Sequence, residues 1–294
     1  MDIFGIPIQA LLGQLLIGLI NGSFYAMLSL GLAIIFGLLK IVNFAHGAQY
    51  MLGAFCAWFL ATKLGLGYWP SLVLVPLLVG IGAIAVEKLL LRHVYDIDHI
   101  YGLLLTFGMA LVIEGVFRNS FGVSGMPYPT PDALKGGWNL SVLFLPKYRA
   151  WVLVASVILC FSTWFLIERT QLGAYLRAST ENPKMVEAFG VNVPLLITLT
   201  YASGVAIAAF AGVLAAPIYQ VSPTMGSNLV ITAFAVVVIG GMGSILGAVL
   251  AGFGLGIIEG LTKVFYPEAS STVIFVIMAI ILLAKPAGLM GKAQ

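Results

Sequence analysis

Charge is what this sequence has least of. Asp, Glu, Lys and Arg make up only 9% of its 294 residues, while 61% are hydrophobic and the mean hydropathy is +1.08. Soluble domains carry about 25% charge, so a water-facing globule is excluded. Alternation of apolar and polar residues is missing too, which argues against a transmembrane barrel. The net charge of +3 is too small to imply nucleic acid as a partner. There are two cysteines, Cys56 and Cys160, both inside apolar runs. They indicate no disulfide framework and read as small packing residues. The three histidines make no metal-ligand spacing, and neither H-E-x-x-H nor G-x-x-x-x-G-K-[ST] occurs. This chain is therefore not expected to hold a metal or to bind ATP by a P-loop. Asp2, with no Lys or Arg close behind it, does not match a cleaved signal peptide.

What is present is a series of apolar runs. A span needs about 20 such residues. Runs over 9–39, 48–62, 71–91, 100–117, 149–167, 195–216, 229–239, 245–261 and 271–284 predict an all-α polytopic membrane protein with about nine spans, eight to ten in all. The chain 1–294 reads as a single transmembrane domain. The first run is longer than one straight crossing requires at about 1.5 Å per residue. Asn21-Gly22-Ser23 is its expected soft point. Small residues recur at spacing four in two runs: Gly204, Ala208, Gly212 and Ala216, then Ala248, Gly252, Gly256 and Gly260. Packing drives helix association in lipid, so such stripes predict close approach to each other or to a partner subunit.

Polar residues interrupt this pattern at a few places. The longest are 119–148, rich in Pro and Gly, and 168–194. Six of the 25 charged residues fall between Glu168 and Glu187. Leu172, Tyr175 and Leu176 share a helical face. Asn182-Pro183 reads as an N-cap and first helical residue. Met185, Val186 and Phe189 share a second face, and Gly190 suits a C′ position. Two short amphipathic helices are expected, either docking on another protein or lying on headgroups. Asp96, Asp98 and His99 make a short polar turn.

Asn43, His46 and Gln49 stand in a Gly-containing break between runs. They either line a solute pathway or satisfy backbone groups freed by the break. Gly240-Gly241-Met242-Gly243-Ser244 is a second break or a tight turn. Glu114 with Arg118, and Glu259 with Lys263, are helical i,i+4 pairs in the favourable order. Local charge neutralisation is the simpler reading of both, and a gating role the other.

If 168–194 faces the cytoplasm, that side carries Lys40, Lys88, Arg92, Arg169, Arg177, Lys184, Lys285 and Lys292. The opposite side then carries Lys63, Arg118, Lys135, Lys147, Arg149 and Lys263. The bias follows the positive-inside tendency and places the N-terminus outside and the C-terminus inside.

Certain blocks are familiar. Gly18 to Ala26 (Gly-Leu-Ile-Asn-Gly-Ser-Phe-Tyr-Ala), Gly31 to Gly37, Asn43-Phe44-Ala45-His46-Gly47 and Met51 to Ala54 resemble the LivH-type permease subunits of bacterial branched-chain amino acid ABC importers. Arg177-Ala178 with Asn182 and Gly190 to Val193 is similar to that family's coupling segment, and the Gly240 block with Glu259 to a third block. Glu187-Ala188 with Gly190 resembles the looser Glu-Ala-Ala loop of ABC importers, with Phe189 in place of the third alanine.

The resemblance implies an inner-membrane importer of branched-chain or other hydrophobic amino acids. Its relatives also carry aromatic or small carboxylates, amides or urea. The implied partners are a homologous second permease, two cytoplasmic ATPases and a periplasmic binding protein. ATP and Mg would sit in the ATPases, with no cofactor in this chain. Leu172, Tyr175, Leu176, Arg177, Asn182, Met185, Glu187, Ala188, Phe189 and Gly190 would dock on an ATPase. Asn21, Ser23, Tyr25, Asn43, His46, Gln49, Gly240 and Gly241 would belong to the pathway. Two other classes stand against this. A secondary carrier needs a cluster of coupling carboxylates that the spans lack. An enzyme using His46 as a base lacks a second acid or nucleophile nearby in sequence.

Overall fold

The computed structural model describes residues 2–3, 6–39, 41–95, 97–140 and 143–291. Lys40, Asp96 and Lys292 of the reading above lie outside them. The helices in chain order are α1 (Ile8–Leu39), α2 (His46–Lys63), α3 (Tyr68–Leu89), α4 (His99–Phe121) and α5 (Lys147–Arg169). After these come α6 (Gln171–Glu181), α7 (Pro183–Ala188), α8 (Val193–Ala215), α9 (Ser227–Gly240), α10 (Ile245–Phe265) and α11 (Val273–Ala284). Strands β1 (Asp2–Ile3) and β2 (Ile6–Pro7) pair antiparallel ahead of α1. A second hairpin, β3 (Gly137–Leu140) with β4 (Leu143–Pro146), lies between α4 and α5.

Among the described residues six helices, α1, α3, α4, α5, α8 and α10, are long and apolar enough to cross a membrane. The nine expected spans are therefore met only in part by this measure. Helix α9 has 14 residues and α11 has 12. At 1.5 Å per residue these reach only about 21 and 18 Å, short of a hydrocarbon core about 30 Å thick. The loop expected over 119–148 is also shorter, because α4 runs to Phe121 and α5 begins at Lys147.

Helix α1 is the hub. Its most apolar stretch is 83% buried, against 11% for α4. The expected soft point at Asn21-Gly22-Ser23 is not one, and α1 is continuous through it. Glycine there serves packing instead of bending. A Cβ on Gly18 or Gly22 would strike the α10 backbone at Gly256, Gly260, Gly252 or Phe253. Likewise Gly252 meets Ala26, and Gly260 meets Gln14 and Gly18. The register runs antiparallel, with Gly37 of α1 beside Gly243 just before α10. The small-residue stripe of α8 has other neighbours: Gly204 lies against Gly31 and Ile35 of α1, and Gly212 against Tyr50 and Ala54 of α2. Both stripes are buried as expected, yet against α1 and α2 and not against each other. Without a hydrophobic drive in lipid, close backbone approach is what holds such helices.

Candidate functional site

Most of the candidate residues fall in two regions, one inside the helical body and one at its end. Inside, the chain leaves α1 at Leu39 and re-enters as α2 at His46. The Nε2 of His46 lies 3.1 Å from the Leu28 carbonyl oxygen, and its ring fills the space beside Gly31. A carbonyl only accepts, so Nε2 carries the hydrogen. Gly31 is eight residues before Leu39, about 12 Å along the helix. The break is thus re-entrant, with the start of α2 beside the middle of α1 and not beside its end. Its backbone is served from α4, where Thr106 Oγ1 donates to the Val42 carbonyl at 3.1 Å and accepts from Phe44 N at 3.2 Å. Irregular backbone survives at this depth because it is buried in protein.

Asn43, His46 and Gln49, the three residues expected there, do come together. Their exposures are 1%, 0% and 5%. Asn43 Nδ2 donates to Gln49 Oε1 at 3.2 Å, and Gln49 Nε2 donates to the Tyr201 hydroxyl on α8 at 2.7 Å. Asn43 Oδ1 and His46 Nδ1 are buried without a hydrogen-bond partner among the described residues. Beside the break, α9 also begins inside the body. Gly47, in the first turn of α2, meets Gly226 at the start of α9 with no room for a Cβ on either. A cleft of about 80 Å³ borders this meeting point, lined by Phe44, Gly47, Ala48, Glu114, Gly226, Ser227 and others. Glu114 holds Arg118 at 2.9 Å, the pairing its spacing predicts.

The other residues expected on the pathway lie elsewhere. Ser23 donates to the Ile20 carbonyl of its own helix at 2.7 Å. Tyr25 donates to Glu259 Oε2 across to α10 at 2.7 Å, and Lys263 Nζ holds Glu259 Oε1 at 2.5 Å. Glu259 is thus more than a locally neutralised charge, since it also ties α10 to α1. Asn21 accepts from the Tyr219 hydroxyl at 2.9 Å. Gly240 closes α9 and Gly241, at φ +106°, starts the tight turn into α10, which Ser244 caps through Gly247 N. This turn sits near Ala287 and Gly291, and its Gly243 lies against Gly37, close to where α1 ends and the first break begins.

One residue was not foreseen. Glu87 near the end of α3 is wholly buried, accepts from Thr198 Oγ1 at 2.7 Å, and stands 3.6 Å from Arg92 Nε. That last distance is an ion pair without a hydrogen bond, and Glu87 Oε1 has no other partner among the described residues. A carboxylate lying in an apolar run was the signal for it. Thr198 lies in the early turns of α8, so Glu87 links α3 to α8.

The second region is the helix pair α6–α7. Asn182 caps α7 through Met185 N at 3.1 Å, Pro183 takes the first helical position, and Gly190 has φ +85°. The expected faces divide in the fold. Leu176 and Val186 are each 7% exposed and turn inward, whereas Leu172, Tyr175, Met185 and Phe189 are exposed, Phe189 at 82%. Ala188 is exposed as well, and so is Glu187, which makes no ion pair among the described residues. Arg177 is engaged within the chain, donating to the Ile167 carbonyl at 3.1 Å and pairing with Glu168 at 3.4 Å. Among the described residues no three His, Cys, Asp or Glu side chains gather as a metal site.

Residues 14–283 match the family model described as branched-chain amino acid transport system / permease component. The chain belongs to this family. Two relatives carry the name high-affinity branched-chain amino acid transport system permease protein: BraD of Pseudomonas aeruginosa and LivH of Escherichia coli K12. Each is 29% identical, over 96% of this chain and 96% of the relative. LivM of Escherichia coli K12 is 27% identical over 92% of this chain and 68% of its own length. No solved structure is significantly similar to the chain.

Proposed function

We propose that this chain is the LivH-like half of a permease pair in an ATP-driven importer of branched-chain or other hydrophobic amino acids. The observation that carries this reading is the exposed apolar set on α6–α7. Leu172, Tyr175, Met185 and Phe189 project from a capped helix pair that ends a membrane body. A docking groove on another protein gives such a surface its use. The other half of the pair is a homologous permease. Two ATPases carrying ATP and Mg lie on the cytoplasmic side, one of them gripping this helix pair, and a periplasmic binding protein delivers solute on the other. The location is the bacterial inner membrane, with the N-terminus periplasmic and the C-terminus cytoplasmic.

Nine crossings fit this arrangement. These are the six long helices with α2, α9 together with the stretch after α8, and α11, which needs the turns on both sides of it to complete a crossing. Residues 1–294 then form one transmembrane permease domain, with the coupling segment 168–194 inside and 119–148 outside. Of the pathway set, Asn21 borders open space. Ser23, Tyr25, Asn43, His46, Gln49, Gly240 and Gly241 hold the helices between which solute moves. Leu176, Arg177, Asn182, Gly190 and Ala188 shape the docking helices, while Glu187 and the exposed apolar residues meet the ATPase.

The test is Phe189→Asp together with Glu187→Lys in the assembled transporter. The variants are expected to insert normally and to lose both ATPase co-purification and uptake. Wild-type uptake by the double variant would remove the docking assignment.

A further inference from the structure

At the end of the body opposite α6–α7, a cavity of about 220 Å³ opens between α1, the first turn of α5 and the stretch after α8. Its lining is Ile17, Ile20, Asn21, Arg149, Ile218 and Tyr219. Three of these are aliphatic, one is a cation, and two are neutral polar groups already joined, the Tyr219 hydroxyl donating to Asn21 Oδ1 at 2.9 Å. The Tyr219 ring is held by an edge contact with Phe24, centroids 5.6 Å apart. Arg149 is half-buried, and among the described residues no carboxylate pairs with it. It sits in the first turn of α5, where there is no acidic residue. The helix dipole favours anions at that end, so Arg149 and the α5 dipole both favour a negative group there. The volume is below the roughly 300–1,000 Å³ of pockets for drug-sized ligands, which suits a single small zwitterion.

We propose that this cavity is the outer binding site for an aliphatic α-amino acid on its way into the pathway. The Arg149 guanidinium takes the carboxylate, in the forked geometry that guanidinium offers. The Asn21 and Tyr219 oxygens, each with a lone pair to spare, take the ammonium. Ile17, Ile20 and Ile218 cover the side chain. This rests on the importer reading given above and names the residues that would meet the solute first. The same carboxylate chemistry could come from an acidic side chain of the docked binding protein, and the experiment separates the two.

The experiment uses the assembled transporter in proteoliposomes with its binding protein, with leucine as the probe. Arg149→Gln is expected to lower ATP-driven leucine uptake about tenfold or more, the scale of losing one charge-assisted hydrogen bond. Docking of the ligand-free binding protein stays unchanged in that variant, and Arg149→Lys, which keeps the charge without the fork, restores only part of the uptake. Saturation-transfer NMR on the transporter without its binding protein should detect leucine on the wild type and not on Arg149→Gln, and leucinol, which lacks the carboxylate, on neither. Ile218→Ala, which keeps every polar group, should weaken leucine binding more than alanine binding. Wild-type uptake by Arg149→Gln would overturn the site. So would loss of ligand-free docking, which would assign the carboxylate to the partner protein. A wild-type transporter that imports nothing with ATP would instead overturn the importer reading itself.

Discussion

Single side chains at the break show how a polar group can be spent on architecture inside a membrane. Gln49 bridges Asn43 and Tyr201, so it links the break to α8 with one amide. Gln49→Leu leaves the Tyr201 hydroxyl and Asn43 without those partners, a cost of about 1–3 kcal/mol for each buried group left unsatisfied. The expected outcome is a lower unfolding midpoint in detergent. Tyr201→Phe removes one hydroxyl and should cost less. Asn43, His46 and Gln49 were legible from sequence as polar residues in a broken apolar run. Tyr201 and Thr106 were not, because each sits in a run whose pattern is otherwise unremarkable. Their role arises only when α4 and α8 are brought alongside the break. Glu87 shows the same limit, since its partner Thr198 is 111 residues away.

At the scale of elements, glycine decides which helices touch. The stripes on α8 and α10 announced close packing, and the partner of each was invisible until the fold placed α1 between them. Asn21-Gly22-Ser23 misled because glycine has two uses, bending a helix and letting another backbone approach. Here the second prevails. A Cβ on Gly256 would strike the Gly22 and Gly18 backbone, whereas Gly254 on the same helix has open space. Gly256→Val is therefore expected to abolish stable expression. Gly254→Ala is expected to be neutral or slightly stabilising, by up to about 1 kcal/mol from helix propensity. Equal loss in both variants, read as detergent-stable protein per membrane mass, would contradict the α1–α10 zipper. The short helices were read well, down to the Asn182 cap and Gly190. The division of their apolar faces was not, because periodicity marks a face without saying which rows the body covers.

On the scale of the whole molecule, the body is a bundle built around α1, with capped apolar helices projecting at one end and a small cavity of mixed lining at the other. The count of crossings was hard to read because α9 and α11 are shorter than a bilayer is thick and α2 starts beside the middle of α1. Cysteine labelling from either side of the membrane checks the arrangement. A cysteine at Gly136 in the outer hairpin region should react from the periplasm, and one at Lys184 in α7 from the cytoplasm, in a Cys56→Ala, Cys160→Ala background. Reaction of both from one side would contradict an odd number of crossings between them.

The central claim is that motion in this chain is driven from outside it, through α6 and α7. The direct measurement is leucine uptake into proteoliposomes holding either this chain alone or the full set of permeases, ATPases and binding protein. The account predicts no uptake by the chain alone, and uptake by the full set only when ATP is supplied. Full-rate uptake by the chain alone, with no nucleotide present, would contradict it.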